Sequence, residues 1–429
     1  MRHLRLLRIG LVVGALMVVP ALVQGAGFAL YEHGARAVGM AGAFGATAND
    51  PTAIYFNPAG IAFQDGTQFA GGLFLIKPTS TMYGNDPYPG STYRGDMENQ
   101  VFVPPHLYAI GQFSDRIHWG VGVFAPFGLG TWWPSDYPGK YISKRVSLDV
   151  LAVNPNIAIK LTDNLAVAGG IDYFLLNFDL TKSIGVINPY TQSTAEVGQV
   201  HIKTSNQHGW GWNVALLGKL GGGWSFGAAF RSAVTVEIDG TGSFVQFPTG
   251  YSDFDGIVGS EIPFGTAPTV TSKITFPKEG RIGLAYHGGP WTAEFDIVRV
   301  SWSSFKRLPM IFPDYPMLSQ TRAEDYQDAN SYRLGFEYRT SPKWAFQWGF
   351  LWDESPVPTK AVSPLLPDSN RVGYTIGTSY SFSPKLQLDV SFMHLNAKDR
   401  PTEGQDLDNF NGLYKTRAEL LGFTVVYKL

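Results

Sequence analysis

The chain reads as an all-β, fourteen-stranded antiparallel transmembrane barrel, and three features predict it. Tight turns alternate with long polar loops. The segments between them alternate apolar and polar side chains. Many of those segments are about ten residues long, enough to cross a membrane when tilted. The tight turns are Ser114-Asp115-Arg116, Thr162-Asp163-Asn164, Gly221-Gly222-Gly223, Gly288-Gly289-Pro290, Ser341-Pro342 and Ser383-Pro384. The loops lie near 78–101, 125–147, 180–203, 239–269, 301–330, 353–370 and 398–415. Short turns facing the periplasm and long loops facing outside are the rhythm of an outer-membrane barrel.

Strands are expected near 67–77, 102–113, 118–124, 148–161, 165–179, 203–220, 223–238, 270–288, 291–300, 331–340, 343–352, 371–382, 385–397 and 416–428. An even count returns both ends to the periplasmic side. The dyad is clear where Val372, Tyr374, Ile376, Thr378, Tyr380 and Phe382 alternate with Gly373, Thr375, Gly377, Ser379 and Ser381. Successive side chains of a strand point to opposite faces, so one wall is apolar and the other polar. A soluble sandwich shares that dyad. Strand length disfavours it, as do Tyr338, Trp344, Trp348, Trp352 and Tyr427, which suit interfacial girdles.

The chain of 429 residues shows no linker or composition shift. Its 33 basic and 35 acidic residues suggest no nucleic-acid partner. Cysteine is absent, which excludes disulfides, zinc–thiolate sites and thiol catalysis, and no metal or cofactor is expected. Arg2, Arg5 and Arg8 precede the apolar run 9–23, with Val23 and Gly25 at cleavage positions −3 and −1. This predicts a cleaved signal peptide, 1–25, and export to a bacterial outer membrane, whose lipids then surround the barrel 67–429.

Segment 26–66 fits no strand. It is rich in Gly and Ala, is broken at Asp50-Pro51 and Asn57-Pro58, and carries apolar Phe28, Leu30, Tyr31, Met40, Phe44, Ile54, Tyr55, Phe56 and Ile61. A periplasmic tail would leave these in water. A plug inside the wide lumen of a fourteen-strand barrel would bury them.

At this point the residues resemble a known family, the FadL/TodX-type outer-membrane transporters (OMPP1). The resemblance rests on Ala26-Gly27-Phe28-Ala29-Leu30, Asn57-Pro58-Ala59, the run 122–129, Trp210-Gly211-Trp212-Asn213, Phe230-Arg231-Ser232 and the run 353–358. It implies a barrel stoppered by an N-terminal hatch, capture of hydrophobic cargo on outer loops, a deeper pocket, and lateral exit where the third strand kinks. It makes Asn57, Pro58 and Ala59 part of the hatch and its gating, and Ala125, Pro126, Phe127 and Gly128 part of the lateral opening. The terminal Tyr427-Lys428-Leu429 departs from the aromatic end common in barrels.

The residues permit a bottom-up reading alongside. Pro126 cannot donate to a ladder, so a wall gap is expected there; the other reading is that 125–130 merely begins a loop. Loops 180–203 and 239–269 are apolar enough to capture acyl chains, with Ile187, Phe244, Phe247 and Phe254 as candidate contacts, or to pack on one another as a cap. A carboxylate headgroup needs a cation. Arg231, Arg333, Arg339 and Lys160 have lumenal parity and Lys182 follows the fifth strand, although Glu337 on the same face invites pairing within the wall.

The function expected is passive uptake of long-chain fatty acids, with aromatic or aliphatic hydrocarbons as the alternative cargo. A monomer is expected. A lipid-modifying enzyme is disfavoured by scattered histidines and the lack of Gly-x-Ser-x-Gly or His-Glu-x-x-His. The apolar loops and plug-like segment disfavour an open aqueous porin.

Overall fold

The computed structural model describes residues 27–429; the expected signal peptide lies outside them. Fourteen antiparallel strands form one sheet: β1 Gln68–Gly84, β2 Pro105–Gln112, β3 Ile117–Trp132, β4 Arg145–Thr162, β5 Leu165–Asn188, β6 Ser193–Gly221, β7 Trp224–Arg231 continued by Val234–Gln246, β8 Thr269–Phe276 continued by Glu279–Gly288, β9 Trp291–Val300, β10 Ala329–Arg339, β11 Trp344–Asp353, β12 Arg371–Ser383, β13 Leu386–Ala397 and β14 Gly412–Lys428. Each pairs with the next, and β1 closes on β14 from Gln68 opposite Lys428 to Gly84 opposite Gly412. Closure leaves no open end to the sheet, the condition for a β-structure in lipid.

The expected dyad sets the two faces. Outward Tyr374 and Ile376 are exposed, while inward Thr375 and Ser379 are buried. Outward Ile157, Ile171, Trp210, Trp212, Ile282 and Leu284 extend the apolar exterior. On β5 that exterior stops at Leu175; Asn177, Asp179 and Thr181 follow on the same face. The strand therefore rises above the apolar belt before its tip.

This corrects the loop expected at 180–203. β5 and β6 form one long hairpin with a tip between Asn188 and Ser193. The apolar–polar alternation fades above the belt, because there both faces can be wet, so period alone ends the strand too early. β3 likewise runs to Trp132 instead of ending near 124, and β1 to Gly84 instead of 77.

Segment 27–66 lies against inward side chains of the wall. Phe44, Ile54, Phe56 and Ile61 are at most 1% exposed. Fully burying such side chains is worth about 1.5–3 kcal/mol each. Backbone meets backbone where the wall has no side chain: a Cβ on Gly227 of β7 would stand 1.9 Å from the Gly45 carbonyl oxygen, and one on Gly335 of β10 2.3 Å from that of Met40. Small residues on both surfaces permit this approach.

Candidate functional site

The wall loosens at β3. The β2–β3 ladder ends at His106 opposite Phe124, although β3 continues for eight residues. Toward β4 the register slips between Phe124 and Phe127, so Ala125 and Pro126 together face Leu151. Pro126 has no N–H to give, and the extra residue forms a bulge. The freed edge of β3 is taken from the lumen by the N-terminal segment. The Leu30 N–H donates to the Pro126 carbonyl at 2.9 Å, and the Gly128 N–H donates to the Phe28 carbonyl at 3.0 Å.

A cavity of about 350 Å³ occupies this break. Its lining runs from lumenal Phe28, Asp368 and Leu420 past Phe127 and Gly128 to Leu151, Asp149 and Asn177. The last three have outward parity, so the cavity reaches through the wall. A second cavity of about 440 Å³ lies above it, lined by Leu148, Phe178, Leu180, Ile274, Phe305, Leu308 and Met310. Phe28, Leu129 and Leu366 line both. The Phe28 ring packs 4.5 Å from Trp302 and 5.7 Å from Phe305.

The upper cavity has a charged end. Arg322 Nη1 donates to both Asp408 carboxylate oxygens, at 2.6 and 2.5 Å, and its Nε lies 3.0 Å from Glu324. Lys182, on β5 above the apolar belt, lines the same cavity. Its ammonium makes no side-chain hydrogen bond or ion pair among the described residues. Burial holds the Lys182 pKa below its ordinary value, against Asp408. In the loop after β9, burial pushes the Glu324 carboxyl up to about 7 despite its arginine partner.

The N-terminal segment is tied to the wall by polar groups. Two carboxylates of β9 receive four consecutive backbone N–H groups: Phe44 and Gly45 donate to Asp296 at 3.1 and 3.0 Å, Ala46 and Thr47 to Glu294 at 2.6 and 2.8 Å. Asn57 Nδ2 donates to the Gly45 carbonyl at 2.7 Å and to the Leu216 carbonyl of β6 at 3.0 Å. Its Oδ1 accepts from the Ala59 N–H at 3.1 Å, opening the 3₁₀ turn Pro58–Phe63. Arg36 binds Glu337 of β10 at 2.7 Å and Asp50 at 3.2 Å.

Several candidates from the sequence are placed elsewhere. Arg231 pairs with Asp172 of β5. Arg333 binds the Ala41 carbonyl at 2.8 Å and Asp353 at 3.3 Å, and stacks on Tyr31. Arg339 pairs with Glu337 at 3.4 Å. These arginines hold the wall and its N-terminal segment, and they line neither cavity. Phe244 is buried against Phe312 behind the upper cavity. Phe254, in the helix Ser252–Glu261, packs on Val197 and Val258. Phe247 lies under Lys144, and Ile187 is 68% exposed on the hairpin. The two apolar loops thus largely pack on their own neighbours. Lys182 alone of the proposed cations reaches either of these two cavities, and Ala125, Phe127 and Gly128 line the wall cavity. Sequence reasoning missed Arg322 and Glu324. The apolar run 308–312 beside them was the available signal.

The family described as outer membrane protein transport protein (OMPP1/FadL/TodX) matches residues 16–429. A relative in Escherichia coli O6:H1, named long-chain fatty acid transport protein, is 25% identical over 96% of this chain and 97% of its own. A 47 kDa outer membrane protein of Pasteurella multocida is 23% identical over 97% of each chain. Among solved structures, a Pseudomonas aeruginosa FadL homologue superposes with a TM-score of 0.82 at 15% identity, covering 94% of this chain and 100% of that one. The P. putida toluene transporter TodX superposes at 0.68 and 18% identity, covering 93% and 99%. At those identities the structures speak for the barrel fold.

Proposed function

The chain belongs to the OMPP1/FadL/TodX family of outer-membrane transport proteins, which carry hydrophobic compounds, and from that premise we propose that its cargo is a long-chain fatty acid. The observation that carries this reading is one unpaired ammonium, Lys182, at the charged end of an otherwise apolar cavity. An acyl tail fits the apolar walls, and each methylene buried there contributes about 0.8 kcal/mol. A carboxylate gives Lys182 the partner it lacks. The tail then points toward Phe28, Leu129 and Leu366, where the upper cavity meets the one in the wall. Exit follows past Phe127 and Gly128. The N-terminal segment acts as the hatch that denies the lumen to water and solutes, with Asn57 as a pin between its backbone and β6.

Substituting Lys182→Gln tests the headgroup assignment. A charge-assisted hydrogen bond is worth about 1.5–3 kcal/mol, so laurate affinity should fall roughly ten- to hundredfold. Lys182→Arg should retain most of it. Toluene, which has no charge, should bind the two proteins alike. Laurate binding unchanged by Lys182→Gln would remove the acid reading and favour hydrocarbon cargo.

The Glu324 carboxyl adds a pH test. Its pKa is pushed up to about 7, so it is neutral below that pH and ionised above it. The negative charge that appears as pH rises faces the same cavity as Lys182. Laurate is ionised throughout, so its affinity should weaken between pH 6 and 8, by roughly threefold or more. Glu324→Gln should flatten the profile. A flat profile in the unaltered protein would show that Glu324 does not titrate beside the ligand.

A further inference from the structure

A third cavity lies at the other end of the barrel and shares no lining residue with the two above. It measures about 710 Å³. Its roof is the underside of the N-terminal segment, at Ala48, Asn49, Phe63 and Gln64. Its sides are the periplasmic ends of β6, β7 and β14 around the turn at 221–223.

Lysines end three strands around this mouth. Lys160 on β4, Lys219 on β6 and Lys428 on β14 share parity with buried Ala158, Leu217 and Val426, so they belong to the inner face. Lys219 and Lys428 line the cavity. The Lys219 Nζ stands 4.2 Å from the centre of the Phe63 ring, and the Lys160 Nζ stands 5.8 Å from it. Two ammonium groups therefore flank one aromatic ring. None of the three lysines forms an ion pair among the described residues, and Asp65 is the one acidic residue in the lining. Like charges this near repel unless an anion comes between them.

Phe63, Leu217 and Trp224 add apolar surface beside the charges.

We propose that this periplasmic vestibule binds the anionic headgroup of an amphiphile, a carboxylate or a phosphate, between Lys160 and Lys219 and against Phe63. Two sources share that chemistry: free fatty acid, and the anionic phospholipid of the surrounding leaflet. The site does not depend on Lys182 or on the cargo assigned to the upper cavity.

The test uses the folded full-length protein in a maltoside detergent. Laurate and dioctanoyl-phosphatidylglycerol are titrated separately by equilibrium binding. The upper site is disabled by Lys182→Gln with Arg322→Gln, so that remaining saturable binding reports the vestibule. On this background, Lys160→Gln with Lys219→Gln should lower the remaining affinity at least tenfold, whereas Lys160→Arg with Lys219→Arg should keep it. Heat-modifiable migration on gels confirms that each barrel is folded. Loss for laurate identifies the free acid as occupant, and loss for phosphatidylglycerol alone identifies the lipid. Binding of neither, or binding indifferent to the lysine pair, overturns the proposal. If the upper-site variant leaves laurate stoichiometry unchanged, the cargo reading fails while the vestibule is still judged by the lysine pair.

Discussion

Deleting residues 27–61 should turn a nearly closed barrel into a conducting one. Steady conductance in planar bilayers is expected to rise several-fold or more, while the barrel still folds, because the ladders that close it do not use the segment and only the edge of β3 at Pro126 and Gly128 loses backbone partners. The deletion removes backbone partners of Glu294, Asp296, Arg281 and Arg333, the last three of which keep partners in the wall. In an emptied lumen those groups face water, which can solvate them. A subtler version keeps the segment and weakens its clamp. Glu294→Gln with Asp296→Asn replaces two carboxyl acceptors of four N–H bonds by amides, and a Gln side chain offers Ala46 and Thr47 one acceptor oxygen where Glu294 offers two. It also strips Arg281 of the Asp296 partner it holds at 3.0 Å. Brief openings should appear on a closed baseline. A deletion that folds yet conducts no better would mean the segment is not what closes the lumen.

Filling the break in the wall should separate binding from transport. Gly128 lines the wall cavity, and a Cβ there would stand 2.9 Å from the Leu30 side chain. Gly128→Trp puts an indole into a space of about 350 Å³. Uptake of labelled fatty acid by cells should fall at least about tenfold, the equivalent of 1.4 kcal/mol at a transport barrier. Laurate affinity of the purified protein should change little, because Lys182 and the charged end of the upper cavity are untouched. Equal losses of binding and uptake would point to a general disturbance. Undiminished uptake would mean that cargo does not pass beside β3.

The features legible in the sequence were the local ones. Turns such as Gly221-Gly222-Gly223 punctuate the chain by their own backbone chemistry, and the period of two is readable wherever one face meets lipid and the other meets polar groups. That is why β9 was located to the residue and β13 to within one. The upper parts of β5 and β6 escaped because Asn177, Asp179 and Thr181 no longer face lipid. Parity put Arg231 and Arg333 on the correct face. Which carboxylate each would meet is decided by neighbours across the barrel and in the N-terminal segment, and no spacing in the chain encodes that. Lys182 was reachable because it follows directly on the fifth strand. Arg322 was not, because it sits on a short hairpin, Arg307–Met310 with Gln320–Ala323, folded out of an aperiodic loop.

The outer mouth of the wall cavity is set at Leu151, Asp149 and Asn177, where apolar outward residues give way to polar ones on both β4 and β5. A fatty acid emerging there would find its head already level with the lipid headgroups and its tail beside hydrocarbon. It could join the outer leaflet without turning over and without drawing its charge through the oily middle. Crossing to the inner leaflet would then be a separate event, whose rate belongs to the bilayer.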